Sequence, residues 1–162
     1  MKQLKSRFLI ALVLGLSAGV GSICYFRLQQ SEPLSFVLKK PDGSEFSSSQ
    51  LQGRRSLIHF WAAWCTPCLA EIPTLVEVAG RAKDSQVQFV MISLDSAWSE
   101  AEKVLPSRQL PSNMVSLINP DRSVAERFGT FQYPETYFLG ADGKVIRKLV
   151  GPQEWDKFNL NN

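Results

Sequence analysis

An α/β fold, a central mixed β-sheet flanked by helices, is predicted from three features of the chain. Apolar runs rich in β-branched and aromatic residues alternate with stretches of helical periodicity, and a hairpin signal closes the series. Two runs, 56–62 and Val87 to Leu94, are apolar almost throughout, as strands buried on both faces must be. Between them Leu69, Ile72, Val76 and Ala79 recur at helical spacing as far as about Lys83. Alternation of strand and helix, closed by a hairpin, implies a mixed sheet with helices on both faces.

The remaining elements follow in sequence. Phe36-Val37-Leu38 and Glu45-Phe46 flank Pro41-Asp42-Gly43, which predicts a small N-terminal hairpin extension. Gln52-Gly53-Arg54-Arg55 is a polar turn before the first long strand. Pro73 lies inside the helical pattern and is expected to kink it. A short helix is expected over Ala97 to Leu105, a strand over Val115 to Ile118, and a short helix over Ser123 to Phe128 stopped by Gly129. Thr136 to Leu139 and Lys144 to Val150 straddle Gly140-Ala141-Asp142-Gly143 as a hairpin. Trp155 to Leu160 reads as a final short helix.

Chemistry concentrates in Trp64-Cys65-Thr66-Pro67-Cys68, which falls where the first long strand gives way to the helix. A helix N-terminus carries unpaired N–H groups and partial positive charge, which favours a thiolate over a thiol. Thiolate is the nucleophile of disulfide exchange, so Cys65 is the expected attacking group. Cys68, one turn into the helix, is placed to close the ring and expel a bound partner. A zinc site would need four ligands, and only Cys24 and His59 remain to supply them. An inert staple across so short a loop would restrict the unfolded chain little. No metal site and no diffusible cofactor is expected.

The first thirty residues read as a separate unit. Lys2, Lys5 and Arg7 precede an uncharged stretch from Phe8 to Phe26, which is too long for a signal-peptide core and matches a membrane-spanning helix. Its glycines and serines leave cleavage near Gly19 to Ser22 as the alternative to an uncleaved signal anchor. Ile23 is too large to precede a lipidated cysteine, so Cys24 reads as an apolar residue of the span. The positive-inside rule keeps the N-terminus cytoplasmic and sends residues 31–162 across the membrane. For a bacterial chain this means a single pass through the inner (cytoplasmic) membrane and a periplasmic catalytic domain.

The formal charge of +3 belongs to that leader. Without Lys2, Lys5, Arg7 and Arg27 the balance is 14 basic against 15 acidic residues, which lacks the basic excess of a nucleic-acid binder. About 130 residues then form one domain of ordinary size. Its two cysteines both lie in the CxxC pair, so the domain has no separate disulfide framework.

From about Phe36 to Gly151 the chain resembles the membrane-tethered, extracytoplasmic thioredoxin-like proteins of the TlpA/ResA/CcmG type. The resemblance rests on four stretches in matching order: Phe60-Trp61-Ala62-Ala63-Trp64-Cys65-Thr66-Pro67-Cys68, Glu71-Ile72-Pro73, Tyr133-Pro134-Glu135-Thr136 and Asp142-Gly143-Lys144-Val145-Ile146. It implies a thioredoxin-like fold and a thiol–disulfide oxidoreductase with a redox-active Cys65–Cys68 disulfide, many such proteins acting in cytochrome c biogenesis. Pro134 matches the family's cis-proline, which leaves the backbone of Tyr133 free to pair with an extended substrate. Trp64, Thr66, Pro67, Tyr133, Pro134 and Glu135 are thus the expected substrate-binding residues. Glu71 matches an acid near the cysteines, placed to move protons to or from Cys68 if burial raises its pKa; a solvated first-turn glutamate is the plainer reading.

The chain also departs from the family. His59 stands where thioredoxins carry a buried aspartate and this family often an asparagine. It reads either as a proton shuttle beneath the disulfide or as a neutral core histidine bonded to a backbone group. Thr130-Phe131-Gln132-Tyr133 replaces a small, glycine-containing loop.

The implied partners are a protein substrate bearing a disulfide, such as apocytochrome c, and a transmembrane electron donor of the DsbD/CcdA type. A dithiol oxidase is the rival within the same chemistry, although oxidases of the DsbA type carry a histidine before the second cysteine and a large helical insertion. A copper-binding metallochaperone is the rival from another class, because soft thiolates bind Cu(I). Such proteins space their cysteines more widely and supply a downstream histidine. A redox-silent binding module would tolerate Cys65→Ser.

Overall fold

The computed structural model describes residues 33–83 and 86–158. The expected span Phe8 to Phe26, with Cys24, lies outside them, and no helix among the described residues is long and apolar enough to cross a membrane. Seven strands form one sheet: β1 (Val37–Lys39), β2 (Glu45–Ser47), β3 (Arg55–Trp61), β4 (Val87–Ser93), β5 (Met114–Ile118), β6 (Glu135–Leu139) and β7 (Val145–Val150). Their spatial order is β2-β1-β5-β4-β3-β6-β7. β3 runs parallel to β4, and β4 to β5, whereas β6 joins β3 antiparallel and β7 joins β6 antiparallel. The sheet is mixed, as expected. The N-terminal hairpin is no free appendage, because Lys39 of β1 pairs with Ile118 and extends the sheet at that edge.

β3 is the central strand because it is apolar on both faces: Leu57, Ile58, Phe60 and Trp61 are fully buried, and so is the polar His59 between them. Strand periodicity places Leu57, His59 and Trp61 on one face, and Ile58 and Phe60 on the other. Helix α1 (Thr66–Arg81) covers the His59 face, burying Cys68, Glu71, Ile72, Leu75, Val78 and Ala79. It continues across Pro73, where a kink is expected from sequence, with Pro73 on the exposed side of the helix. Solvent can serve the Leu69 carbonyl that the ring leaves without a donor.

The opposite face carries an aromatic cluster of Phe60, Phe128 and Tyr137, with edge-to-face centroid separations of 5.1–5.8 Å. Two shorter helices complete the domain, α2 (Trp98–Val104) and α3 (Ser123–Arg127). Gly129 ends the α3 region at φ 68°, a left-handed conformation that costs glycine nothing. Gly143 is required twice over: its φ is 75°, and a Cβ there would sit 3.2 Å from Pro33 and Gln52.

The final helix expected over Trp155 to Leu160 is only one 3-10 turn, Trp155–Lys157, among the described residues. Trp155 is fully buried and stacks obliquely on Phe158, so side-chain packing holds this segment rather than a run of helical hydrogen bonds.

Candidate active site

β3 ends at Trp61, and four residues later the chain enters α1 with Cys65 as its N-cap residue and Pro67 in the first turn. Proline suits that turn because the missing N–H would have no partner there. Cys65 and Cys68 form a disulfide with an S–S distance of 2.07 Å. Cys65 keeps 6% of its surface exposed and Cys68 none, so Cys65 offers the sulfur that a partner can reach.

The strand-to-helix turn is held from below by Asp95, a residue the sequence reading passed over. Both its carboxylate oxygens accept the Ala63 N–H at 3.0 Å, and the Ser93 hydroxyl donates to it at 2.7 Å. Asp95 follows β4 in an otherwise apolar stretch, and only that isolated buried charge hinted at its role.

Trp64 is 57% exposed. Its ring meets Tyr133 edge-to-face at 5.9 Å and lies under the Arg122 guanidinium at 5.8 Å. Arg122 has φ 58°, a costly backbone conformation for a residue with a Cβ. No local pattern singled it out. The Tyr133–Pro134 peptide bond is cis, and the Pro134 carbonyl accepts the Gly151 N–H at 2.9 Å. Phe131, in the same loop, is 84% exposed. Trp64, Thr66, Pro67, Phe131 and Tyr133 therefore present surface around the disulfide and the loop before β6, while Pro134 is buried.

Glu135, read from the sequence as a substrate-facing acid, turns inward instead and is 2% exposed. Its carboxylate meets the Lys148 ammonium at 2.9 Å and accepts from the Tyr137 hydroxyl at 2.7 Å. It also receives the N–H groups of Phe131 and Gln132 at 3.5 and 3.4 Å. Burial opposes its charge, but the lysine and the hydroxyl outweigh that, and its pKa lies below the ordinary value. Glu135 supports the aromatic loop from beneath.

Glu71 lies on the other face of the sheet, three residues beyond Cys68. Its Oε2 accepts from the Gln153 N–H and the Trp155 indole N–H, each at 2.8 Å. Burial raises its pKa, and these two donors only partly oppose the shift. Gln153 and Trp155 are more than eighty residues from Glu71, and nothing in the local sequence points to them.

His59 is fully buried, which lowers its pKa to about 3 and keeps it neutral. Its Nδ1 lies 2.9 Å from the Thr136 hydroxyl, its cross-strand neighbour on β6. The plainer sequence reading had a neutral ring bonded to a backbone group; the partner is a side chain because the β3–β6 register sets Thr136 directly opposite. His59 Nε2 lies 3.5 Å from Glu71 Oε1, and Trp155 packs edge-on against the ring at 6.4 Å. Among the described residues no group of three or more His, Cys, Asp or Glu side chains could hold a metal ion.

Comparison with known proteins gives a consistent picture. The model of the AhpC/TSA family matches residues 30–148. The thiol:disulfide interchange protein CycY of Rhizobium leguminosarum is 32% identical over 106 residues, 65% of this chain and 55% of that protein. The match thus spans about half the length of CycY. The thiol-disulfide oxidoreductase ResA of Bacillus cereus is 24% identical over 161 residues, covering 94% of this chain and 92% of that one. A solved structure from Chlorobium tepidum, described as the thiol:disulfide interchange protein DsbE, superposes with a TM-score of 0.69 at 26% identity. That superposition covers 79% of this chain and 89% of the other. The thioredoxin-like fold expected from sequence is the fold of these neighbours.

Proposed function

From the premise that this chain belongs to the AhpC/TSA family, we propose that it is a thiol–disulfide oxidoreductase that reduces protein disulfides through Cys65 and Cys68. One observation carries this reading: a disulfide at the first turn of a sixteen-residue helix, with a buried carboxyl one turn further along. The structure is then the oxidised product of the reaction.

In the reduced protein the N-terminus of α1 stabilises the Cys65 thiolate. That thiolate attacks one sulfur of a client disulfide, forming a Cys65–client bond while the other client sulfur leaves as thiolate. Cys68, deprotonated by Glu71, then attacks the Cys65 sulfur. The Cys65–Cys68 bond forms, the second client sulfur leaves, and two electrons have passed to the client. The raised pKa of Glu71 suits a group that exchanges a proton with a thiol. The exposed ring of Trp64 and the Tyr133 backbone beside the cis-proline form the surface on which an extended client segment would lie.

The same reading places residues 31–162 outside the cytoplasmic membrane, tethered by Phe8 to Phe26, with a transmembrane donor of the DsbD/CcdA type restoring the dithiol. The basic cluster Lys2, Lys5 and Arg7 ahead of an uncharged stretch supports that orientation. The resemblance of Phe36 to Gly151 to proteins of the TlpA/ResA/CcmG type supports a client in cytochrome c maturation.

The test is the reduction potential of the pair in the full chain, measured by dithiothreitol equilibrium, with Cys68→Ser used to trap the client as a mixed disulfide. A potential near roughly −270 mV supports a reductase, whereas one near roughly −120 mV makes the protein an oxidase. Failure of Cys68→Ser to trap any disulfide-bearing protein overturns thiol exchange altogether.

A further inference from the structure

The Glu71 side chain has two differently served oxygens. Oε2 is occupied by the donors of Gln153 and Trp155, while Oε1 is buried with no hydrogen-bond partner. His59 Nε2 is likewise buried and unpartnered, and these two orphaned atoms face each other at 3.5 Å. A buried polar atom without a partner carries a desolvation cost, so each is the other's remaining source of a hydrogen bond. On the far side of the ring, Nδ1 already meets a hydroxyl that can act as donor or acceptor.

We propose that His59 is the positioning residue for the Glu71 proton: the tautomer of its neutral ring is locked to the charge of Glu71, and Thr136 supports both forms. The reasoning follows from donor counting. Oε2 accepts two N–H groups, so a protonated Glu71 must carry its proton on Oε1, where it points at Nε2. Nε2 is then the acceptor, and the ring proton sits on Nδ1 and donates to the Thr136 oxygen. When Glu71 is ionised, Oε1 needs a donor. The ring proton is then on Nε2, and the Thr136 hydroxyl donates to Nδ1. One proton leaves the three-residue network between these states, and the ring carries one proton in both.

This inference rests on the reading that Glu71 exchanges a proton with Cys68, and it names what holds the proton between turnovers. The surroundings contain few rivals for the role. α1 contributes Glu71 and, one turn earlier, Cys68, which does not titrate while oxidised. β3 contributes His59, β6 contributes Thr136, and the C-terminal segment contributes the neutral donors Gln153 and Trp155. Glu135, Tyr137 and Lys148 lie on the opposite face of the sheet.

His59 is the sole histidine of the chain, which makes the tautomer directly observable. The full oxidised chain, solubilised in detergent and purified without a histidine tag, is labelled with 15N-histidine, and both ring nitrogens are followed through a pH titration. The expected result is a protonated Nδ1 at the acid end and a protonated Nε2 at the alkaline end. The exchange should share its midpoint with the loss of the last protonated-carboxyl infrared band. Glu71→Gln should abolish the exchange and leave one tautomer at every pH.

A single tautomer throughout in the wild type overturns the proposal. So does an imidazolium at intermediate pH, or an exchange whose midpoint differs from the carboxyl band. Because the readout is spectroscopic and uses the oxidised form, it is independent of the functional reading. A tautomer exchange without thiol-exchange activity defeats that reading alone, and activity without a tautomer exchange defeats this inference alone.

Discussion

Replacing His59 by asparagine should make the protein less stable at neutral pH and more stable in acid, and the size of the crossover can be worked from the structure. The ring is fully buried, and its pKa falls from 6.5 to about 3. Between those values the unfolded chain binds a proton that the native state refuses. Stability is therefore lost as pH falls, by about 1.4 kcal/mol per pH unit. Over the whole window this amounts to about 5 kcal/mol, a large share of an ordinary domain's total.

Glu71 acts with the opposite sign. Its folded pKa is raised, so acidification from that value down to 4.5 adds stability, and below 4.5 the loss due to His59 is unopposed. That contribution is common to both proteins to the extent that Glu71 keeps its environment. At pH 7.5 the substitution removes the contact with Thr136 and the edge packing on Trp155, at about 2 kcal/mol. Dividing that loss by the slope puts the crossing of the two stability curves near pH 5.

The assay is urea unfolding of the oxidised full chain at half-unit steps from pH 7.5 to 3.5. Fluorescence serves as the probe because all four tryptophans lie beyond residue 60. A difference between the two proteins that stays constant across this range would refute the reasoning, since it would mean that His59 is protonated as readily in the fold as in the unfolded chain.

Three further outcomes are expected. Trp155→Phe keeps an aromatic ring beside His59 but deletes a donor to Glu71, so the Glu71 pKa should rise further in a 13C-glutamate titration. No rise would mean that the indole does not stabilise the carboxylate. Glu135→Ala removes the carboxylate that pairs with Lys148 and strips the Tyr137 hydroxyl and the Phe131 and Gln132 N–H groups of that acceptor. It should cost about 2 kcal/mol and raise KM for a protein disulfide while leaving the reaction with dithiothreitol unchanged. Equal losses in both reactions would show that Glu135 acts on the cysteines instead. Asp95→Ala leaves the Ala63 N–H unpaired and should cost about 1–3 kcal/mol, with faster amide exchange confined to the turn before Cys65; protection unchanged at Ala63 would refute it.

Local chemistry made much of this protein legible in its sequence. The core strands β3 and β4 stand out because both faces are buried, so nearly every residue must be apolar. The start of α1 is announced by the cysteines and Pro67, and the hairpin turn by Asp142-Gly143, where only glycine fits the backbone. Elements held by distant packing were less readable, which is why the Trp155 segment is a single 3-10 turn among the described residues.

The redox pair, its helix and its strand were thus determined by the sequence alone, since each depends on neighbours within a few residues. What the acids do was decided only by the tertiary structure. Glu71 and Glu135 look alike in sequence, each three or fewer residues from a landmark of the site. In the fold they lie on opposite faces of one sheet, and their pKa values shift in opposite directions. Glu71 meets two neutral N–H donors and a neutral ring in a buried site, so burial wins and its pKa is raised. Glu135 meets an ammonium, so its charge is retained. The difference arises from Trp155, Gln153 and Lys148, which reach the carboxylates only when the chain folds, because electrostatic energy depends on distance through space and not along the chain.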